Sequence, residues 1–442
     1  MKYRLIDKIP EDQRNWLKQS AKRILRHEAK VILRKYHPKI VAISGSVGKT
    51  LTKEAIYISL SKKFHVRKSE KSFTAELGVP LAIIGSPYGT DTIYDWIRNI
   101  LHGLRIIVFK AKYPEWIILE IDNDKSGDLA AVAKLAKPDI LVLTEIGSIP
   151  AHIENFGSLG SFMHEQRNFI NAVKQGGVII YNSDDSQVCT LLDDCPVRSV
   201  ACGIGNGTVR GGGSEISYLP ETGEVAGMRF NIDFGGQSHA VSITGSIGVQ
   251  NEYAFLLAFA VGIELKLSPK EIISQLSRYS VLPGRMRILQ GIKNTTLIDD
   301  SYNSSPAALE KALLTFKNIQ SKGRKIAVIG DMLELGRYSA SEHRNIAAEL
   351  KTSAAYILTV GFRAKKIAEE LSHTAQGKKH VESFDNSEAA GKYLQNFLKA
   401  GDVVLVKGSQ AMRMEKTVEE VMLNPKDKKK LLVRQEKRWQ DR

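Results

Sequence analysis

The stretch VAISGSVGKTLTKE, residues 41–54, holds the residue types best suited to phosphate chemistry. An apolar run leads straight into Gly45-Ser46-Val47-Gly48-Lys49-Thr50, the pattern of a strand that turns on glycines into a helix. The first N–H groups of a helix have no partner within it, and the aligned peptide dipoles leave partial positive charge at that end. Phosphate oxygens suit the place. Gly45 and Gly48 let the main chain and Ser46 curl close to a phosphate, Lys49 brings a mobile cation to the terminal ones, and the Thr50 hydroxyl can ligate magnesium. The turn is a candidate ATP site. Only two residues separate Gly45 from Gly48, where the common loop has four before its Gly-Lys, so a plain strand-to-helix turn is the competing reading.

Such a loop works only if a sheet carries it, and the flanking sequence supplies one. Strands are expected at 40–44, 116–120, 139–144 and 177–182, alternating with helices from about 49, at 126–136 and at 162–174. This is an α/β pattern with a mostly parallel sheet, a P-loop-type ATPase domain over 39–283. Residues 203–246, with Gly211-Gly212-Gly213 and runs such as MRFNIDF, predict a small antiparallel patch, followed by helix at 250–279. After Pro283-Gly284 a second α/β stretch begins: strand TTLIDDS, helix 306–317, strand 325–330, helix 340–351, strand AYILTV, helices 362–371 and 387–399, strand DVVLVKG and helix 412–422. It forms a C-terminal domain over 284–425. The charged residues 426–442 are expected to fray.

The 442 residues carry 63 Lys and Arg against 48 Asp and Glu, a formal charge of +15, which favours anionic partners. No aromatic-interleaved reader of nucleic acid accompanies the excess, so nucleic acid is not expected as a partner. Cys189, Cys195 and Cys202 match neither a zinc site nor a disulfide framework and suit a cytoplasmic protein. The N-terminus MKYRLIDKIPEDQRNW has acids where a secretory leader needs an apolar core, and no apolar run reaches about 18 residues. Residues 11–36 predict a basic amphipathic helix, and 93–110 predict a second amphipathic helix with Ile93, Trp96, Ile97, Ile100, Leu101, Leu104 and Ile107. These two either pack on the sheet or touch the inner face of a membrane from the side.

Further motifs follow in order: ELGVPLAI at 76–83, IGSIPAHIENFGS at 146–158, DDSYNSSPAALEKAL at 299–313, GDMLELG at 330–336 and GDVVLVKGSQAMRMEK at 401–416. With the glycine loop they make the chain resemble the Mur ligases, most closely the MurF branch, over about residues 39–422. The resemblance implies a Rossmann-like C-terminal domain, a monomer, and an ATP-dependent ligase that activates a carboxylate as an acyl phosphate for attack by an amine, such as D-alanyl-D-alanine on a cell-wall peptide precursor. It also implies ATP with Mg2+ as cofactors. Lys49 then holds the terminal phosphates, Thr50 and Glu120 take the first magnesium, and His152 serves a second. Asn251 sits near adenine, while Arg285 and Asp300 reach the nucleotide from the C-terminal domain. Tyr302, Asn303, Pro306, Lys407, Ser409 and Arg413 match cleft positions, either contacting substrate or making turns.

The sequence departs from that pattern at several places. Gln166 falls where MurF-like enzymes have a lysine, modified to a carbamate, for the second magnesium, and a neutral amide offers no anion there. Glu165 is adjacent but about 100° round the helix. Asp122 replaces a common glycine, two extra residues precede Pro150-Ala151-His152, and about 38 residues stand where the family has a UDP-sugar domain. Two alternatives therefore stay open: a ligase acting on a lipid-linked or non-wall carboxylate, and a nucleotide-binding interaction protein without turnover.

Overall fold

The computed structural model describes residues 11–70, 75–90, 92–372, 380–436 and 439. Residues 1–10, where the sequence predicts no secretory leader, lie outside them.

Helix α1 (Glu11–Tyr36) buries Ala21, Leu25, Ala29 and Ile32, the three-and-four spacing of one helical stripe, and feeds strand β1 (Lys39–Ser44). Strand β1 is buried from Ile40 onward, and its side chains alternate between two cores: Val41 and Ile43 on one face, Ile40 and Ala42 on the other. Helix α2 (Lys49–Leu60) and strand β2 (Val66–Lys68) follow, then helices α3 (Ala75–Ile84) and α4 (Ile93–Val108) and strand β3 (Trp116–Glu120). Helix α5 (Asp128–Leu135), strand β4 (Ile140–Leu143), helix α6 (Leu159–Ile170), strand β5 (Val178–Asn182) and helix α7 (Ser186–Leu192) complete the alternation. Strands β6 (Ser199–Ile204), β7 (Val209–Tyr218), β8 (Val225–Phe234) and β9 (Gln237–Thr244) then precede helices α8 (Val249–Glu264) and α9 (Pro269–Leu276).

All nine strands form one sheet in the order β2-β3-β1-β4-β5-β6-β7-β8-β9. The expected antiparallel patch is therefore not a separate piece. Strand β6, missed in the sequence, pairs parallel with both β5 and β7 and joins the patch to the main sheet; only β7-β8-β9 run antiparallel. Helices α2, α8 and α9 cover one face, and α1, α3, α4, α5 and α6 the other.

The second sheet, in the order β10-β11-β15-β12-β13-β14, is parallel except at its edge strand β10 (Arg287–Gly291). Its members β11 (Thr295–Asp300), β12 (Lys325–Gly330), β13 (Tyr356–Val360), β14 (His380–Phe384) and β15 (Val403–Lys407) alternate with helices α10 (Pro306–Asn318), α11 (Ser339–Ser353), α12 (Lys365–Ser372) and α13 (Ser387–Phe397). Where one helix was expected at 412–422, Arg413 adopts φ 53°, and the chain instead makes a turn at Gln410–Met412 and a shorter α14 (Glu415–Val421). The expectation of a frayed tail also fails for residues up to 436: Lys428–Leu431 form a short helix α15, and Leu432 and Arg434 after it are buried.

Candidate active site

The glycine turn forms because two of its residues take backbone conformations that side chains oppose. Gly45 has φ 130°, and a Cβ there would lie 2.2 Å from Thr144 Oγ1; Gly48 has φ 86° and caps α2. The Ser46 and Val47 N–H groups donate to the Glu145 carbonyl at 2.6 and 3.0 Å, so the first turn of α2, from Gly48, is the part left to receive phosphate. Lys49 Nζ donates to the Gly45 carbonyl at 2.9 Å and lies 3.3 Å from Asp122 Oδ1.

Strand β3 ends at Glu120, beside β1, and brings its carboxylate to the loop: Thr50 Oγ1 donates to Glu120 Oε1 at 2.6 Å. Burial pushes the Glu120 carboxyl up, but Lys53, 2.9 Å from Oε2, the Thr50 hydroxyl and Lys49 outweigh it and hold it below the ordinary range. An anionic carboxylate beside a hydroxyl at a helix start is the oxygen donor set that suits one magnesium ion. Burial raises the Asp122 carboxyl, with Lys49 opposing and Glu120 and Asp124 adding to the rise.

These groups face a cleft of about 920 Å³ between the two sheets. Ser46, Gly48, Lys49, Thr50, Glu120 and His152 line it from the first; Asn251 joins them from α8. Arg285, Asp300, Tyr302, Asn303 and Lys407 line it from beyond Pro283-Gly284. Arg285 Nη2 donates to Thr50 Oγ1 at 3.1 Å, and its guanidinium lies 3.8 Å over the Tyr302 ring. Asp300 pairs with Lys407 Nζ at 2.7 Å, and Lys407 also donates to the Asn303 carbonyl. Asn251 Nδ2 donates to Ser246 Oγ and the Ile247 carbonyl.

Several expected roles change here. His152, at φ 63°, directs Nδ1 to Glu334 and places Nε2 3.5 Å from Asp124. Burial lowers its imidazole pKa, but Glu334 and Asp124 raise it above the ordinary value overall, so carboxylates hold this ring. Among the described residues no cluster of three or more His, Cys, Asp or Glu is arranged to hold a metal. Gln166 does not reach the cleft: it is fully buried, and its Oε1 accepts from Ser44 Oγ at 3.0 Å. Glu165 cannot replace it, because its carboxylate accepts from the Gly127 and Leu129 N–H groups and so caps α5. The residues present fit one magnesium through Thr50 and Glu120 and do not fit a second at position 166.

Ser409 and Arg413 are not brought to the cleft. Ser409 Oγ joins two loops, accepting from Leu333 N and donating to the Ser304 carbonyl, and Arg413 pairs with Glu415 and donates to the Trp439 carbonyl. Pro306 starts α10. Sequence reasoning missed Lys53, whose signal was a lysine four residues after Lys49 on the face carrying Leu60 and Ile56. It also missed Glu334, whose distant partner leaves no local trace.

The fold and site define a two-sheet α/β protein whose helix-starting loop and whose arginine from beyond Pro283-Gly284 meet at Thr50. Residues 43–262 match the Mur ligase middle domain, and residues 284–410 match the Mur ligase glutamate ligase domain. The chain belongs to the Mur ligase family. It is 25% identical over 403 residues to the UDP-N-acetylmuramoyl-tripeptide--D-alanyl-D-alanine ligase of Bacillus subtilis, covering 91% of this chain and 79% of that one. The Mycobacterium leprae enzyme of that name is 28% identical over 399 residues, with 84% and 71% covered. A crystal structure of MurF from Thermotoga maritima in complex with ADP superimposes with a TM-score of 0.73 at 25% identity, covering 90% of this chain and 83% of that one.

Proposed function

We propose that this chain is an ATP-dependent, ADP-forming carboxylate–amine ligase of the MurF type, acting on a cell-wall peptide precursor with D-alanyl-D-alanine or a similar dipeptide. The observation that carries it is Arg285 meeting the Thr50 hydroxyl, which places a cation from one domain on the phosphate loop of the other. In that reading residues 39–283 hold the triphosphate and residues 284–425 close over it. The substrate carboxylate attacks the γ-phosphorus and ADP departs; the amine nitrogen then attacks the acyl carbon, loses a proton and expels inorganic phosphate. Lys49 and Arg285 neutralise charge on the transferring phosphoryl group, and Thr50 and Glu120 would hold a magnesium ion, which would offset further negative charge on the phosphates. Asp300, through Lys407, keeps the loop with Tyr302 and Asn303 in place. The relatives' names motivate the substrates, and a cytoplasmic monomer is part of the proposal. The test is release of ADP and phosphate with UDP-linked tripeptide and dipeptide together. Hydrolysis that ignores both substrates, or tight ATP binding without any turnover, overturns it.

A second acceptor, a lipid-linked carboxylate met at a membrane surface, is favoured by one face of α4. Leu101 and Val108, 58% and 68% exposed, form a stripe with Tyr94, Ile97, Leu104 and Phe109, flanked by Arg98, Arg105, Lys110 and Lys112. An exposed apolar stripe with a basic border suits an anionic bilayer. Among the described residues no helix is long and apolar enough to cross a membrane, so contact would be from the side. Binding to vesicles containing phosphatidylglycerol, reduced at least tenfold by Leu101→Glu, is expected; equal pelleting of variant and parent would remove this reading.

A further inference from the structure

The segment after α14 is built into the cleft. Lys429, Leu432, Val433, Gln435, Glu436 and Trp439 line it, and Arg434 anchors the segment. The Arg434 side chain is 3% exposed. Its Nε and Nη2 contact Glu415 Oε2 at 3.1 and 2.9 Å, and its fork reaches two consecutive carbonyls of the DSYN turn: Nη1 donates to Tyr302 O at 2.9 Å and Nη2 to Ser301 O at 2.5 Å. The next contacts run inward. Tyr302 N donates to the Gly284 carbonyl at 3.2 Å, and a Cβ on Gly284 would meet Val433 Cγ1 at 2.9 Å, so the tail presses on the joint between the domains. Arg285 follows that glycine, lies on the Tyr302 ring and donates to Thr50.

We infer that Arg434 is a positioning residue that fixes the Ser301–Tyr302 turn and, through the Tyr302 ring, holds Arg285 on the phosphate loop. The inference rests on the ATP-site reading above. A guanidinium can bridge Glu415 and two carbonyls at once because its donors lie in one rigid fork, whereas a lysine keeps the charge opposite Glu415 but loses that geometry. Arg434→Lys therefore separates position from charge.

Fluorescent ATP and ADP analogues, titrated against the full chain in magnesium without acceptor, give a readout independent of turnover. Arg434→Lys is expected to weaken ATP binding at least fivefold and ADP binding less than twofold. A general structural lesion would lower both alike. Arg285→Lys should show the same selectivity, and the double variant should be no more than twofold worse than the weaker single, since one contact is lost either way. Tyr302→Leu removes the ring while keeping both carbonyls and should reproduce the pattern if Arg434→Lys does not fold. Equal losses for the two nucleotides, unchanged binding in Arg434→Lys, or multiplied losses in the double variant overturn the inference while leaving the ATP site standing. Failure of the parent chain to bind either nucleotide overturns the ATP-site reading and this inference with it.

Discussion

At the scale of single residues, the phosphate loop balances its charges internally. Lys49 is satisfied by the Gly45 carbonyl and Asp122, and Glu120 by Thr50 and Lys53, so an incoming phosphate exchanges existing partners for better ones. A charge-assisted hydrogen bond is worth about 1.5–3 kcal/mol. Lys49→Met should therefore weaken ATP about 10- to 100-fold while leaving the melting temperature within a few degrees; calorimetric titration checks it, and unaltered affinity would mean that the loop holds no phosphate. Gln166 gives the opposite expectation. Its amide oxygen is tied to Ser44 inside the core, so Gln166→Leu should cost about 1 kcal/mol of stability and leave ATP affinity within twofold. A tenfold loss of affinity with magnesium present would instead put that side chain at the metal. The glycine loop and Glu120 were legible because each lies where a strand ends in a recognisable pattern. The burial of Gln166 was not, since spacing along a helix gives a direction only once its neighbours are known.

Among the elements, the packing of α1 on α4 contains a buried acid. Glu28 lies on the same stripe as Leu25 and Ile32, 2% exposed, and its carboxylate sits against Gly103 of α4, where a Cβ would come within 2.1 Å of Oε2 and push the carboxylate aside. Burial raises its carboxyl from 4.5 to about 7. The unfolded chain loses this proton near 4.5 and the folded chain keeps it until about 7, so the folded state binds more protons between those values. Stability falls as pH rises through that window and levels above it. At 1.36 kcal/mol per unit the loss is at most about 3 kcal/mol. Glu28→Gln should raise the melting temperature at pH 8 and change it little at pH 4.5; equal curves for the two proteins would show that the carboxyl is not held dry. The α1 periodicity was visible in sequence, whereas its buried acid was masked by the basic residues around it. Strands β2, β10 and β14 escaped for a related reason: each lies at the edge of its sheet, and the interior β6, like them, has mostly half-buried or exposed residues, so no apolar run or clean alternation announces any of the four.

For the whole molecule, the decisive fact is that the two sheets are joined across the cleft by polar contacts no local pattern announces. His152 meets Glu334, Glu154 N donates to the Glu334 carbonyl at 3.4 Å, Glu154 Oε2 accepts from Gly336 N at 3.2 Å, and Lys311 pairs with Glu145 at 3.2 Å. His152 and Glu334 both adopt φ 63°, a conformation side chains disfavour, so the backbone on each side is shaped for this meeting. The Glu334 side chain is about half exposed, and a pair of that kind is worth up to about 1 kcal/mol. That is enough to bias an opening equilibrium and too little to fix it. Glu334→Gln should increase the radius of gyration of the nucleotide-free protein in small-angle scattering and speed proteolysis near Pro283-Gly284 about threefold, because the hinge is sampled open more often. Saturating ATP should return both toward the parent values, since Arg285 and Thr50 still join the domains once phosphate lies between them. If the variant scatters and cleaves like its parent, the remaining contacts hold the cleft shut on their own and the histidine pair has no part in closure.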